Sequence, residues 1–102
     1  MQLHTKKKVE IVIGAPMMRP VLKILDDLGA TGYTVLRAIS GKGHHSHWDL
    51  AQLSDANRHV VIVVIVSEST AARIVEEVGA VFRQHRGVIF VSTVEVLRSD
   101  YF

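Results

Sequence analysis

Three short stretches of this chain carry the side chains from which chemistry could be built. The first is Gly41-Lys42-Gly43. Glycines let backbone N–H groups approach an anion closely and a lysine adds a mobile positive charge, so this element is a candidate phosphate cradle. It has neither the Walker spacing nor the dinucleotide fingerprint, which leaves a plain turn as the competing reading. The second stretch follows at once, with His44, His45 and His47 and then Trp48 and Asp49. Three imidazoles so close together could hold Zn, Ni or Cu, with Asp49 adding an oxygen. The alternative is a solvated, pH-sensitive loop, because a metal site wants ligands held by a scaffold. The third stretch is His85-Arg86-Gly87, whose bases suit the end of a helix and also an anion-binding edge.

None of these frames a catalytic centre. Ser40, Ser46, Ser54 and Asp55 lie near the histidines, but no nucleophile elbow or metalloprotease spacing arranges them. The paired acids Asp26-Asp27 and Glu76-Glu77 fall on the wet faces of helices. A binding module is therefore expected rather than an enzyme, with no redox cofactor.

The elements that must position these residues follow from periodicity. Val9, Ile11, Val12 and Ile13 make Lys8 to Ile13 a strand apolar on both faces, ended by Gly14 and Pro16. Val21, Leu22, Leu25 and Leu28 recur at helical spacing with Lys23, Asp26 and Asp27 between them, and Gly29 supplies a left-handed stop. Tyr33 to Ile39 reads as a second strand. Residues 40–57 have no sustained period and exceed the roughly 12 to 15 residues beyond which a structureless loop is usually functional or disordered. His59 to Val66 is a third strand, uninterrupted enough to be central. Ser67 caps a second helix with Ala71, Ile74, Val75, Val78 and Phe82 on its apolar face, and Val88 to Val96 is the last strand.

The two halves are alike, since ILDDLGA (Ile24 to Ala30) returns as IVEEVGA (Ile74 to Ala80). Two β-α-β halves predict an α+β, ferredoxin-like βαββαβ domain. Its four-stranded antiparallel sheet has both helices on one face and a long loop between strands 2 and 3. The face without helices would then be apolar and uncovered, and another copy of the same sheet is the simplest cover.

Bulk composition narrows the function further. A chain of 102 residues makes one domain, residues 1–102, and 12 Lys plus Arg against 10 Asp plus Glu is too balanced for nucleic-acid binding by net charge. No cysteine is present, which removes disulfides, thiolate metal sites and cysteine nucleophiles. The longest apolar run, Val60 to Val66, is too short to span a membrane. Lys6 to Lys8 precede no apolar segment of the kind a secretion signal needs. A cytoplasmic domain without membrane insertion is expected.

LDDLGATGYTVLRAISGKG (Leu25 to Gly43), the loop after it and the closing GVIFVSTVEVLR (Gly87 to Arg98) resemble the PII and PII-like signalling proteins. The resemblance spans Lys8 to Arg98, and GATGYTV followed by GKG is its most specific part. It implies a homotrimer with adenine nucleotide, ADP, AMP or ATP, in clefts between subunits. Residues 40–57 would be the T-loop, which docks on a regulated partner protein. Thr34, Gly41, Lys42 and Gly43 match phosphate and ribose contacts, and Gly87 and Val88 belong to the short turn that meets the phosphates. Val12, His59 and Ile65 fall where members line the nucleotide pocket, and Arg98 lies near their C-terminal basic contact.

Two departures point away from the classical nitrogen-regulatory members. The turn from His85 to Val88 is shorter than their glycine-rich phosphate loop, and no tyrosine stands in residues 40–57 for uridylylation. The likeness is greater to the compact PII-like branch linked to bicarbonate uptake and carboxysomes, which implies bicarbonate as a further ligand and a membrane transporter or carboxysome component as partner. Some PII-like relatives sit beside heavy-metal export systems, so a metal-responsive protein using His44, His45 and His47 is the alternative.

Overall fold

The computed structural model describes residues 1–42, 47–49 and 58–102. In chain order the elements are β1 (His4–Gly14), α1 (Met18–Asp27), β2 (Thr34–Arg37), β3 (Ser40–Lys42), β4 (His47–Asp49), β5 (His59–Val66), α2 (Glu68–Val81) and β6 (Gly87–Val96). Short 3-10 turns precede α1 at Ala15–Met17 and end the chain at Ser99–Tyr101. Four strands pair antiparallel in the order β2-β5-β1-β6, and β3 with β4 forms a separate two-stranded ribbon. Each β-α-β half skips one strand position in this order, so the halves interlock as the ferredoxin-like arrangement requires.

Alternation along the central strands decides what is buried. Val9, Ile11 and Ile13 of β1 and Ile62, Val64 and Val66 of β5 point to the helices and are fully or almost fully buried. Val21 and Leu25 of α1 and Ala71, Ile74 and Val78 of α2 close the core over them. Burying each such Val, Ile or Leu contributes about 1.5–3 kcal/mol. Pro20 sits in the first turn of α1, where backbone N–H groups have no intrahelical acceptor and none is lost.

The helix ends follow their sequence signals. Ser67 has extended backbone, and its side chain accepts a hydrogen bond from the Thr70 N–H at 3.3 Å, capping α2. Gly29 has φ +84°, and behind it the Ala30 N–H donates to the Leu25 carbonyl and the Gly29 N–H to the Asp26 carbonyl. This pair of bonds is the left-handed closure that ends α1. The matching glycine of the repeat behaves differently. Gly79 lies inside α2, which runs on to Val81 because Val78 and then Phe82 continue the apolar face.

Three expectations are corrected. Residues 40–57 are not wholly without regular structure, because β3 and β4 pair Ser40 with Asp49 and Lys42 with His47. Val75 is 38% exposed and does not join the core, since α2 presents Ala71, Ile74 and Val78 at i, i+3 and i+7. The β1 strand is not apolar on both faces either. Its second face carries Lys8 and Glu10, which pair at 3.1 Å.

The face without helices is nonetheless largely apolar. Leu36, Val61, Val12 and Val88 stand abreast in one row across all four strands. Thr34, Val63, Glu10 and Phe90 form the next. Leu36 is 51% exposed, Val88 57% and Phe90 46%.

Candidate functional site at the loop end of the sheet

Antiparallel register brings four chain segments to one end of the sheet. Gly14 at the end of β1 lies opposite His59 at the start of β5, and Ile13 lies opposite Gly87 at the start of β6. The Ala15 N–H donates to the Arg58 carbonyl at 2.6 Å and the Ala38 N–H to the His59 carbonyl at 3.0 Å. These bonds fix the root of the 40–57 segment beside the end of β1 and the turn that joins α2 to β6.

This end gathers part of the expected ligand set. Val12 and Val88 are direct cross-strand neighbours on the helix-free face, with Gly87 one register step beyond and His59 two. Gly41 lies within β3, and Lys42 ends that strand with an exposed side chain. Gly43, His44 and His45 lie outside the described residues, while His47 begins β4. Among the described residues no group of three His, Cys, Asp or Glu is placed to hold a metal ion.

The remaining candidates sit elsewhere. Ile65 pairs with Lys8 and Thr34 with Val63, further along the same face, and Arg98 follows β6 at the opposite end. From Gly14 to Lys8 is six residues of strand, roughly 20 Å at about 3.3 Å each. Along the sheet the candidates of one chain form a series from His59 and Gly87 through Val12, Val88 and Thr34 to Ile65, with Arg98 apart at the far end. Arg98 is engaged within its own tail, 4.3 Å from the centre of the Tyr101 ring and 3.8 Å from Asp100.

Electrostatically the loop end is one-sided. Arg37 ends β2, Arg58 precedes β5, and Arg83 and Arg86 flank the turn before β6. No Asp or Glu occurs in residues 11–22, 34–42, 58–63 or 81–94, while β4 brings Asp49 opposite Ser40. A local excess of cations over acids creates a positive field that the near-neutral total conceals. Arg37 and Arg58 belong to no motif, because each is a lone base at a strand boundary. Only the register shows that they share a side of the sheet with Arg86.

The turn itself is shaped by packing. A Cβ built on Gly87 would meet the Phe82 ring, 2.6 Å from Cζ, so the start of β6 lies directly under that ring. The family described as Nitrogen regulatory protein P-II matches residues 6–101, nearly the whole sheet and both helices included. The chain belongs to the P-II family. Members of this family are signalling regulators rather than enzymes.

Solved P-II-like structures agree over the full length. The PII-like protein CPII of Thiomonas intermedia K12, bound to ADP, AMP and bicarbonate, superposes with a TM-score of 0.92 at 28% identity, covering 99% of this chain and 96% of that one. The apo form of CPII gives a TM-score of 0.77 at 27% identity, covering 95% and 97%. A PII-like signalling protein of Thermus thermophilus gives 0.86 at 26% identity, covering 100% and 99%. Among the described residues, no helix of this P-II chain is long and apolar enough to cross a membrane.

Proposed function

We propose that this chain, as a single domain over residues 1–102, is the subunit of a homotrimeric PII-like sensor that binds adenine nucleotide, ADP or AMP foremost and ATP as well. The observation that carries this reading is the excess of bases, Arg37, Lys42, Arg58 and Arg86, over acids at the end of the sheet where Gly87 starts β6 and the 40–57 segment has its root. Nucleotide phosphates are the ligands such an excess favours. The CPII protein, similar in fold throughout, is described in complex with ADP, AMP and bicarbonate.

Two features of the same subunit support this assembly. The helix-free face exposes Leu36, Val88 and Phe90, a patch that a second sheet would cover. Gly87 and Arg98 lie at opposite ends of the sheet, so a site using both takes one from each of two neighbouring copies.

In this reading Val12, His59 and Ile65 line the base and sugar, while Thr34, the Gly41 to Gly43 segment, Gly87 and Val88 meet ribose and phosphates. Arg98 reaches the site from the C-terminal side. The 40–57 segment acts as the T-loop, changing its arrangement as ligand binds it differently in two states. It would regulate a partner in the cytoplasm, a membrane transporter or carboxysome component concerned with bicarbonate. Calorimetric titration with ADP, AMP and ATP, with and without bicarbonate, tests the proposal. Heat with ADP or AMP is expected, and no heat with any of the three would overturn it.

A further inference from the structure

Beyond the end of β6 the chain turns back on its own arginine. The Arg98 guanidinium lies over the Tyr101 ring, 4.3 Å from its centre, and is 3.8 Å from the Asp100 carboxylate. The Tyr101 N–H donates to the Arg98 carbonyl at 3.3 Å and the Phe102 N–H to the Ser99 carbonyl at 3.1 Å, which closes the turn. Thr31, in the connection between α1 and β2, fastens it from outside, its hydroxyl donating to the Tyr101 carbonyl at 2.5 Å. That anchor stands just before Thr34, the first residue of β2.

We infer that this turn is an autoinhibitory latch on Arg98: Asp100 engages the guanidinium that a nucleotide phosphate would use, and bound ligand draws it away. The inference rests on the nucleotide reading above and deepens it by saying what restrains Arg98. A guanidinium binds carboxylate and phosphate through the same kind of N–H edge, so Asp100 and a phosphate compete for it. The competition is uneven. A terminal phosphate carries up to about two negative charges against one on the carboxylate, and it presents more acceptor oxygens. Until that exchange is made, the charge of Asp100 also repels the approaching phosphates.

The latch is built from weak contacts. The side chains of Arg98 and Asp100 are 62% and 71% exposed, and Tyr101 is 54% exposed, so water screens what holds the arginine. A ligand moves Arg98 only by its differential affinity for the released state, and a weak restraint lets a modest difference suffice.

Calorimetry with ADP at low salt tests this on wild type, Asp100→Asn, Arg98→Ala and the double variant, with adenosine as the ligand that lacks phosphate. Asp100→Asn should bind ADP about two- to fivefold more tightly than wild type. Arg98→Ala should bind more weakly, and the double variant no more tightly than Arg98→Ala. Adenosine should not distinguish Asp100→Asn from wild type. Weaker ADP binding by Asp100→Asn would overturn the inference by making the turn a support for Arg98 instead of a restraint, and unchanged binding by either single variant would overturn it too. A gain that survives without Arg98, or that appears with adenosine, would also overturn it by assigning the effect to general charge. A wild type that binds no ADP would overturn the nucleotide reading and this inference together.

Discussion

The ring of Phe82 rests on the backbone of Gly87. A methyl group at position 87 would lie 2.6 Å from the ring's Cζ and 3.0 Å from its Cδ1, nearer than ordinary van der Waals contact. The C-terminal end of α2 and the first residue of β6 are thereby held together at the same place as the basic cluster.

Substituting Gly87→Ala should therefore destabilise the fold by about 1–3 kcal/mol, the usual range for forcing extra volume into a packed contact. Adding Phe82→Leu should recover part of the loss. Chemical denaturation of both variants checks this, and an unchanged midpoint for Gly87→Ala would show that the ring yields freely.

The two glycines of the internal repeat should respond with opposite signs. Gly29 has φ +84°, and an alanine there costs about 1 kcal/mol because its Cβ disfavours that backbone. Gly79 is inside α2 with no atom within 4 Å of an added Cβ, and alanine there should stabilise by about 0.5–1 kcal/mol. Thermal melting of the two variants reads both signs in one experiment.

The C-terminal turn is tied down by few contacts. The Thr31 hydroxyl donates to the Tyr101 carbonyl at 2.5 Å, and Arg98 stacks on the Tyr101 ring. The Arg98–Asp100 pair is mostly exposed, and such pairs contribute little. Tyr101→Ala should raise hydrogen exchange of residues 98–102 and lower global stability by less than about 1 kcal/mol. A large global loss would show that the tail belongs to the core.

Local chemistry makes much of the fold legible in the sequence. The span of β5, the Ser67 cap and the Gly29 stop each depend on residues close together in the chain, and each stands where the sequence places it. The start of β1 is less readable. The sequence pattern starts it at Lys8, yet pairing of Lys6, Lys7 and Lys8 with Val94, Thr93 and Ser92 continues the strand back to His4. The β3–β4 ribbon has no period to reveal it, because strands of three residues are too short to show alternation. Of the candidate site, the GKG and His85 to Gly87 elements are visible as motifs. That Val12 adjoins Val88, and that Arg37 and Arg58 share an end with them, depends on pairing between distant strands, which no local pattern encodes.

Lys42 extends from the end of β3 with an exposed side chain, and Lys42→Ala should weaken ADP binding severalfold while leaving assembly unchanged. Calorimetry beside mass photometry separates the two effects. Loss of assembly in this variant would place the lysine in the subunit contact instead.

The placement of Gly87 and Arg98 at opposite ends of the sheet makes the central claim measurable. Native mass spectrometry of the protein with ADP across a dilution series reports bound nucleotide for each oligomeric state separately. One ADP per chain on the trimer and none on the monomer is the predicted result. ADP retained equally by the monomer, or absent from every species, would contradict it.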